Sequence, residues 1–296
     1  MATALPGNIR LKLDQALAQW RHWDCDPPLV SAPTVLRVLG NGLSNFSILV
    51  RAEGAFVVRV DGINSASDQL NRPAEWRSLQ AAHRAGIAPR PCYFNPELGC
   101  VVCEYLPPDP AQAPSLPDVA ALLRAVHALP ARHHRLDLEG RILSYEKRLE
   151  HRREPALAQL NSHGEATRQC LAAAQSGAQA LVLCHNDLLR ANRILSGGRL
   201  WAIDWEYCAM GSPWYDLAVV TAGDELDTPD RNLLLESYLR RPATAAEYTR
   251  LDQYSCVYRY LELLWYLARD HPLLDEEQTG AKLQRLENAL ASAFSP

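Results

Sequence analysis

Two short apolar segments near the middle of the chain, joined by a glycine pair, constrain the fold more than any other feature. The first, Leu181 to Cys184, leads directly into His185-Asn186-Asp187. Asn192 follows after four more residues, and the second apolar run ends in Asp204. Between Asn192 and Asp204 lies Ser196-Gly197-Gly198, a hairpin signal, because glycine supplies the positive backbone angles of a tight reversal. Three side chains suited to holding a metal or a proton thus hang at the ends of strand-like segments. Taken alone, Asp187 would read as a turn or cap residue; five specified positions in order on a strand-loop-strand pattern read as a site.

Phosphoryl transfer asks little covalent chemistry of a protein. It needs a carboxylate to orient a hydroxyl, and hard oxygen ligands to hold Mg²⁺ against phosphates. Asp187, Asn192 and Asp204 have the order and the Asp-to-Asn spacing of the protein-kinase template. His-Asn-Asp-Leu-x-x-x-x-Asn, followed by Ile-Asp-Trp-Glu-Tyr at 203 to 207, resembles the kinase-like fold of choline, ethanolamine and thiamine kinases and aminoglycoside phosphotransferases. The second motif is more similar to the amino-alcohol and thiamine branch than to the antibiotic branch.

The resemblance covers residues 35 to 270 and implies an α+β, protein-kinase-like, two-lobe fold. A small N-terminal lobe with an antiparallel sheet, preceded by a helix, is expected over 1–106, and a larger, mainly helical catalytic and acceptor lobe over 107–296. A length of 296 residues suits two lobes. A net charge of −4 argues against a general nucleic-acid or membrane-surface binder. No apolar run reaches a membrane span and the N-terminus carries no secretory pattern, so a cytoplasmic location is expected. The eight cysteines read as reduced, mostly buried thiols. Cys100 and Cys103 fall on opposite faces of an expected strand and have no second ligand pair, which disfavours zinc.

Upstream, apolar positions from Ile9 to Trp20 predict a first helix. Residues 35 to 50 read strand, glycine-containing turn, strand. Such a turn is either an ordinary hairpin or a phosphate cradle, since glycine lets backbone N–H groups approach oxygen closely. The resemblance implies the second and points to Asn41, Gly42, Ser44 and Asn45; it is not the Walker pattern. Phe56 to Val60 predicts a short strand carrying Arg59, where protein kinases place a phosphate-binding lysine. Glu75, early in a helix beginning after Pro73, is either a solvated first-turn acid or the partner of Arg59. Glu104-Tyr105-Leu106 resembles the interlobe hinge that meets adenine. Residues 140 to 176 predict one or two helices.

Downstream, Gly211-Ser-Pro-Trp-Tyr-Asp216-Leu-Ala resembles a family motif whose aspartate supports the catalytic loop, a role that the likeness assigns to Asp216. His185 reads as shaping the same loop, and His127 as a packed helix residue. Tyr258, Glu262 and Trp265 crowd one helical segment, with Tyr260 and Tyr266 beside them. That is either an aromatic-rich core helix or, with Trp205, a cation-binding acceptor surface. Arg190 and Arg193 add positive charge to the loop, and Cys208 stands where such sequences often have alanine; none is a required ligand.

The expected activity is Mg²⁺-dependent transfer of the γ-phosphoryl group of ATP to a hydroxyl of a small cationic alcohol, choline, ethanolamine or thiamine. Asp187 would handle the hydroxyl proton, while Asn192, Asp204 and Glu206 would bind magnesium. The alternatives are an aminoglycoside or sugar phosphotransferase on the same fold, and an inactive nucleotide-binding pseudokinase module.

Overall fold

The computed structural model describes residues 5–41, 45–62, 70–110, 113–177, 180–269 and 273–294. In chain order the first elements are α1 (Gly7–Ala18), β1 (Thr34–Asn41), β2 (Asn45–Arg51), β3 (Ala55–Asp61), α2 (Arg72–Arg84), β4 (Pro91–Asn95) and β5 (Cys100–Glu104). Helices α3 (Leu116–His127), α4 (Leu138–Leu149), α5 (Pro155–Ser162) and α6 (Gly164–Ala174) precede β6 (Val182–Cys184), β7 (Arg193–Ser196), β8 (Arg199–Ala202) and β9 (Ala209–Gly211). The chain closes with α7 (Pro213–Gly223), α8 (Thr228–Leu239), α9 (Ala245–Leu267) and α10 (Glu276–Ala293). Two compact units result: Met1–Ala113 with Arg193–Cys208, and Pro114–Asn192 with Ala209–Pro296.

The first unit is built on a five-stranded antiparallel sheet in the order β1-β2-β3-β5-β4. Strand alternation decides what each face carries. Phe56, Val58 and Val60 of β3 join Ile48, Val50, Cys100 and Val102 in a core covered by Ile9, Leu13 and Ala16 of α1. Burying each large apolar side chain contributes about 2 kcal/mol. The odd positions, Arg59 among them, therefore turn to the opposite face. There α2 begins, with Asn71 capping it by accepting the N–H of Ala74 at 3.0 Å. The β7–β8 hairpin belongs to this unit. Gly197 (φ 59°) and Gly198 (φ 68°) make its turn in the left-handed region, and Ala202 N–H donates to Ile87 C=O at 2.8 Å.

The second unit is helical apart from the short antiparallel pair β6–β9. Helix α7 is buried at every position from Tyr215 to Ala222, so it forms the unit's centre. Helix α9, opened by a Thr244–Glu247 capping box, packs against α6, α7 and α10. Residues 140 to 176 hold parts of three helices instead of one or two. Pro155 restarts the chain as the first residue of α5, and Gly164, whose Cβ would stand 3.0 Å from the Tyr260 hydroxyl, opens α6 under α9. Among the described residues no helix is long and apolar enough to cross a membrane.

Candidate active site

In the second unit, β6 delivers the chain into a loop held by one carboxylate. Asp216 sits in the first turn of α7, fully buried. Its Oδ2 accepts the backbone N–H of His185 and its Oδ1 that of Asn186, each at 2.8 Å. Asn186 adopts φ 62°, a left-handed conformation tolerated by asparagine and fixed here by those two bonds. His127 Nε2 lies 3.1 Å from Asp216 Oδ2, and its Nδ1 lies 2.8 Å from the Tyr238 hydroxyl. Burial opposes the charge of Asp216, but His127 and His185 outweigh it and hold the pKa below the ordinary carboxylate value.

The loop so anchored presents Asp187, half-buried. Asn192 Nδ2 donates to Asp187 at two points, Oδ2 at 2.7 Å and the carbonyl at 2.8 Å. The carboxylate is thereby given one orientation. Asp187 also acts electrostatically on Tyr215, Tyr258 and Tyr266, whose hydroxyls are pushed up by burial and then by neighbouring carboxylates. Glu262 acts on Tyr258 and Tyr266 in the same way. Glu262 itself accepts Lys282 Nζ at 2.7 Å, and the same Nζ lies 5.4 Å from the Tyr266 ring centroid. The Arg269 guanidinium lies 3.9 Å over the Trp265 ring. The carboxylate and one aromatic face of α9 thus already carry cations of this chain.

In the first unit, Arg59 bridges two acids, pairing with Glu75 through Nη2 and with Asp204 through Nη1. Burial works against its charge, and Glu75, Asp204, Glu206 and Asp61 together overcome it, so the guanidinium is held more firmly protonated than usual. Asp204 adopts φ 59° just after β8. Trp205 is buried, its indole N–H donating to Ala202 C=O at 3.1 Å. Glu206 accepts Asn45 Nδ2 at 2.9 Å, and Arg72 Nη1 lies 3.1 Å away. Burial, then the charge of Asp204, raises the Glu206 pKa to about 7. Asn45 Oδ1 is buried without a hydrogen-bond partner. Gly42 and Ser44 lie outside the described residues; Asn41 ends β1. Glu104 N–H donates to Arg90 C=O and Tyr105 N–H to Ala55 C=O, each at 2.9 Å, and Leu106 follows half-exposed.

This set fits a divalent cation. Two arginines, Arg59 and Arg72, face four acids, Asp61, Glu75, Asp204 and Glu206, so the acids outnumber the cations by two. The donors are all oxygens, which Mg²⁺ prefers. A different group, His127, Cys184 and Asp216, brings three possible ligand atoms within 4.8 Å of one another. Both oxygens of that carboxylate are occupied by N–H groups, and burial then Asp216 raises the Cys184 thiol well above its usual pKa, so this group reads as a scaffold.

Sequence reasoning missed Arg72, which reads as an ordinary helix-start residue, and gave His127 only packing. The one signal available for Arg72 was its spacing three residues before Glu75, a helical neighbour position.

The model of the phosphotransferase enzyme family matches residues 35–254. Protein LicA of Haemophilus influenzae is 24% identical over 240 residues, covering 76% of this chain and 70% of that protein. A choline/ethanolamine kinase family protein from Mesorhizobium loti is similar in fold, with a TM-score of 0.71 at 24% identity over 95% of this chain and 99% of the other. LicA in complex with AMP gives a TM-score of 0.74 at 22% identity, covering 90% and 96% of the two chains.

Proposed function

The chain belongs to the phosphotransferase enzyme family, and from that premise we propose that it moves the γ-phosphoryl group of ATP to the hydroxyl of a small cationic alcohol. It is a phosphotransferase that acts on an alcohol group. Choline, ethanolamine and thiamine are the acceptor types this reading names. The observation that carries it is the Asp187–Asn192 pair on a loop whose backbone is tied to Asp216.

Asp187 orients the acceptor hydroxyl and takes its proton as the oxygen attacks phosphorus in line. Asn192 keeps that carboxylate aimed while Asp216 prevents the loop from swinging away. Asn192, Asp204 and Glu206 are the residues that would hold magnesium; when bound, the ion neutralises charge on the phosphates. Arg59, steadied by Glu75, contributes a fixed positive charge toward the nucleotide phosphates, and its fork cannot deprotonate at working pH. Support for the cationic acceptor comes from α9, where Glu262 and aromatic rings hold ammonium and guanidinium groups of the chain itself.

The test is Mg²⁺-dependent ADP release across choline, ethanolamine, thiamine, aminoglycosides and amino sugars, with Asp187→Asn beside the wild type. Turnover with a cationic alcohol, reduced about 100-fold or more in the variant, supports the reading. Equal ADP release by both proteins removes Asp187 from its role. Turnover confined to aminoglycosides overturns the acceptor class.

A further inference from the structure

One charged residue in the first unit has no part in the scheme above. Arg72 is the first residue of α2, and its side chain is only 12% exposed. Carboxylates from three separate segments converge on it. Asp61, at the end of β3, takes the fork in two-point fashion: Nη2 donates to Oδ1 at 2.6 Å and Nε to Oδ2 at 3.1 Å. That grip fixes the plane of the guanidinium. Nη1 is then shared, 2.8 Å from Oε2 of Glu75 and 3.1 Å from Oε2 of Glu206.

Traced through its neighbours, the arrangement closes on itself. Asp204 pairs with Arg59, Arg59 with Glu75, Glu75 with Arg72, and Arg72 with Glu206. Glu206 returns to Asp204 along the backbone through Trp205, which is 1% exposed and tethered to Ala202. Trp205 is therefore a fixed point, with one acid on each side of it. Arg59 sets the direction of the first acid and Arg72 the direction of the second. Asn45 completes the hold on Glu206 from β2. A lysine could neutralise one of these acids but could not face three directions in a plane.

We propose that Arg72 is a positioning residue for the metal-binding carboxylates: anchored on Asp61, it holds Glu206 where Glu206 can share a divalent cation with Asp204. The inference rests on the nucleotide and magnesium roles proposed above for Asp204 and Glu206. A purely architectural Arg72, tying α2 to the sheet, would weaken every property of the unit alike. A positioning Arg72 weakens only what depends on the metal.

The deciding measurement is calorimetric binding of ADP to the full chain, in Mg²⁺ and in EDTA, for wild type, Arg72→Met and Arg72→Lys. Loss of a residue that orients a ligand carboxylate weakens metal-dependent binding about tenfold or more. We expect that loss for Arg72→Met in Mg²⁺, with less than a twofold change in EDTA. We also expect an increase in the Mg²⁺ concentration needed for half-maximal ADP binding. Arg72→Lys, which retains the buried charge and thus covers the case in which the methionine variant does not fold, should show the same metal-dependent loss to a smaller degree. In the Glu206→Gln background, Arg72→Met should add little further loss. Equal weakening with and without Mg²⁺, or full recovery by lysine, overturns the proposal. A wild type whose ADP affinity ignores Mg²⁺ overturns the nucleotide–metal reading together with it, whereas a Mg²⁺-dependent wild type with an unmoved Arg72→Met overturns the Arg72 role alone.

Discussion

The imidazole of His127 lies 3.1 Å from Oδ2 of Asp216, and that same carboxylate receives both backbone N–H groups that open the loop carrying Asp187. Asp216 therefore stands between a helix histidine and the proposed catalytic loop. Replacing it with asparagine leaves one amide oxygen where two N–H groups need acceptors. The unpaired donor and the lost charge-assisted bond cost about 2 kcal/mol. Thermal unfolding of Asp216→Asn should start several degrees lower, and kcat should fall about tenfold or more as the loop loosens.

The same residue makes a pH prediction. The folded pKa of Asp216 is depressed, against burial, by His127 and His185. A depressed carboxylate contributes stability that is fully present above its unfolded value and is lost as pH falls through the folded one. The loss should therefore set in below about pH 4, the ordinary aspartate value. Urea melts of wild type and Asp216→Asn between pH 7 and the acid limit check this. The stability gap between them should shrink with acid, and a gap that stays constant would remove the charge from the account.

Arg59 carries the third prediction. It is buried between Glu75 and Asp204, so Arg59→Met leaves acids facing one another and should cost about 3 kcal/mol. Arg59→Lys keeps a charge but can no longer present two nitrogens in fixed directions. We expect it to fold and to raise KM for ATP about tenfold, which corresponds to ~1.4 kcal/mol of binding. Steady-state kinetics at saturating acceptor tests this; an unchanged KM would place Arg59 outside the phosphate site.

Sequence pattern is informative where the physical requirement is local. The β7–β8 hairpin was legible because Gly197 and Gly198 must take positive φ, a local requirement. Strand β3 was legible from its β-branched run, Val57, Val58 and Val60, whereas the antiparallel sheet was implied by the resemblance alone. The order Asp187, Asn192, Asp204 stands out in the sequence, and the structure sets Asn192 Nδ2 on the Asp187 carboxylate and pairs Asp204 with Arg59. What stayed hidden was non-local. Arg72 meets Asp61 and Glu206, 11 and 134 residues away, and His127 meets Asp216, 89 residues away. Neither spacing leaves a periodic trace. The break between α5 and α6 was equally silent, because a mid-chain glycine reads as tolerated within a helix until its packing partner is known.

Asp109 supplies a fourth prediction, about how the hairpin is held. Its Oδ1 accepts Gly197 N–H at 2.9 Å and its Oδ2 accepts Gly198 N–H at 2.8 Å. Asp109 N–H in turn donates to Leu195 C=O at 2.8 Å. Two charge-assisted bonds at an exposed turn are worth about 1 kcal/mol net. Asp109→Ala should lower Tm by ~3 °C. Hydrogen exchange at the Gly197 and Gly198 amides should accelerate in the variant, since nothing else among their described contacts protects them. Unaltered exchange would show that the strand pairing alone holds the turn.

The last prediction separates the two readings of α9. Lys282 Nζ, an ammonium of the chain itself, sits 2.7 Å from Glu262 and 5.4 Å from the Tyr266 ring centroid. If this face of α9 receives a cationic acceptor, the acceptor's ammonium competes with Lys282 for Glu262. Glu262→Gln then removes the shared counter-charge and should raise acceptor KM about tenfold, with KM for ATP unchanged. Lys282→Met should act in the opposite direction, lowering acceptor KM about threefold, because Glu262 loses its internal partner and must find an external one; the two factors correspond to about 1.4 and about 0.7 kcal/mol, the range of a partly exposed cation–π or ion-pair contact. An uncharged alcohol turned over by the same protein should respond to neither change. Opposite shifts in KM at similar kcat would place the acceptor's charge at α9. Lower Tm in both variants with no movement in either KM would make the aromatic segment a core helix and nothing more.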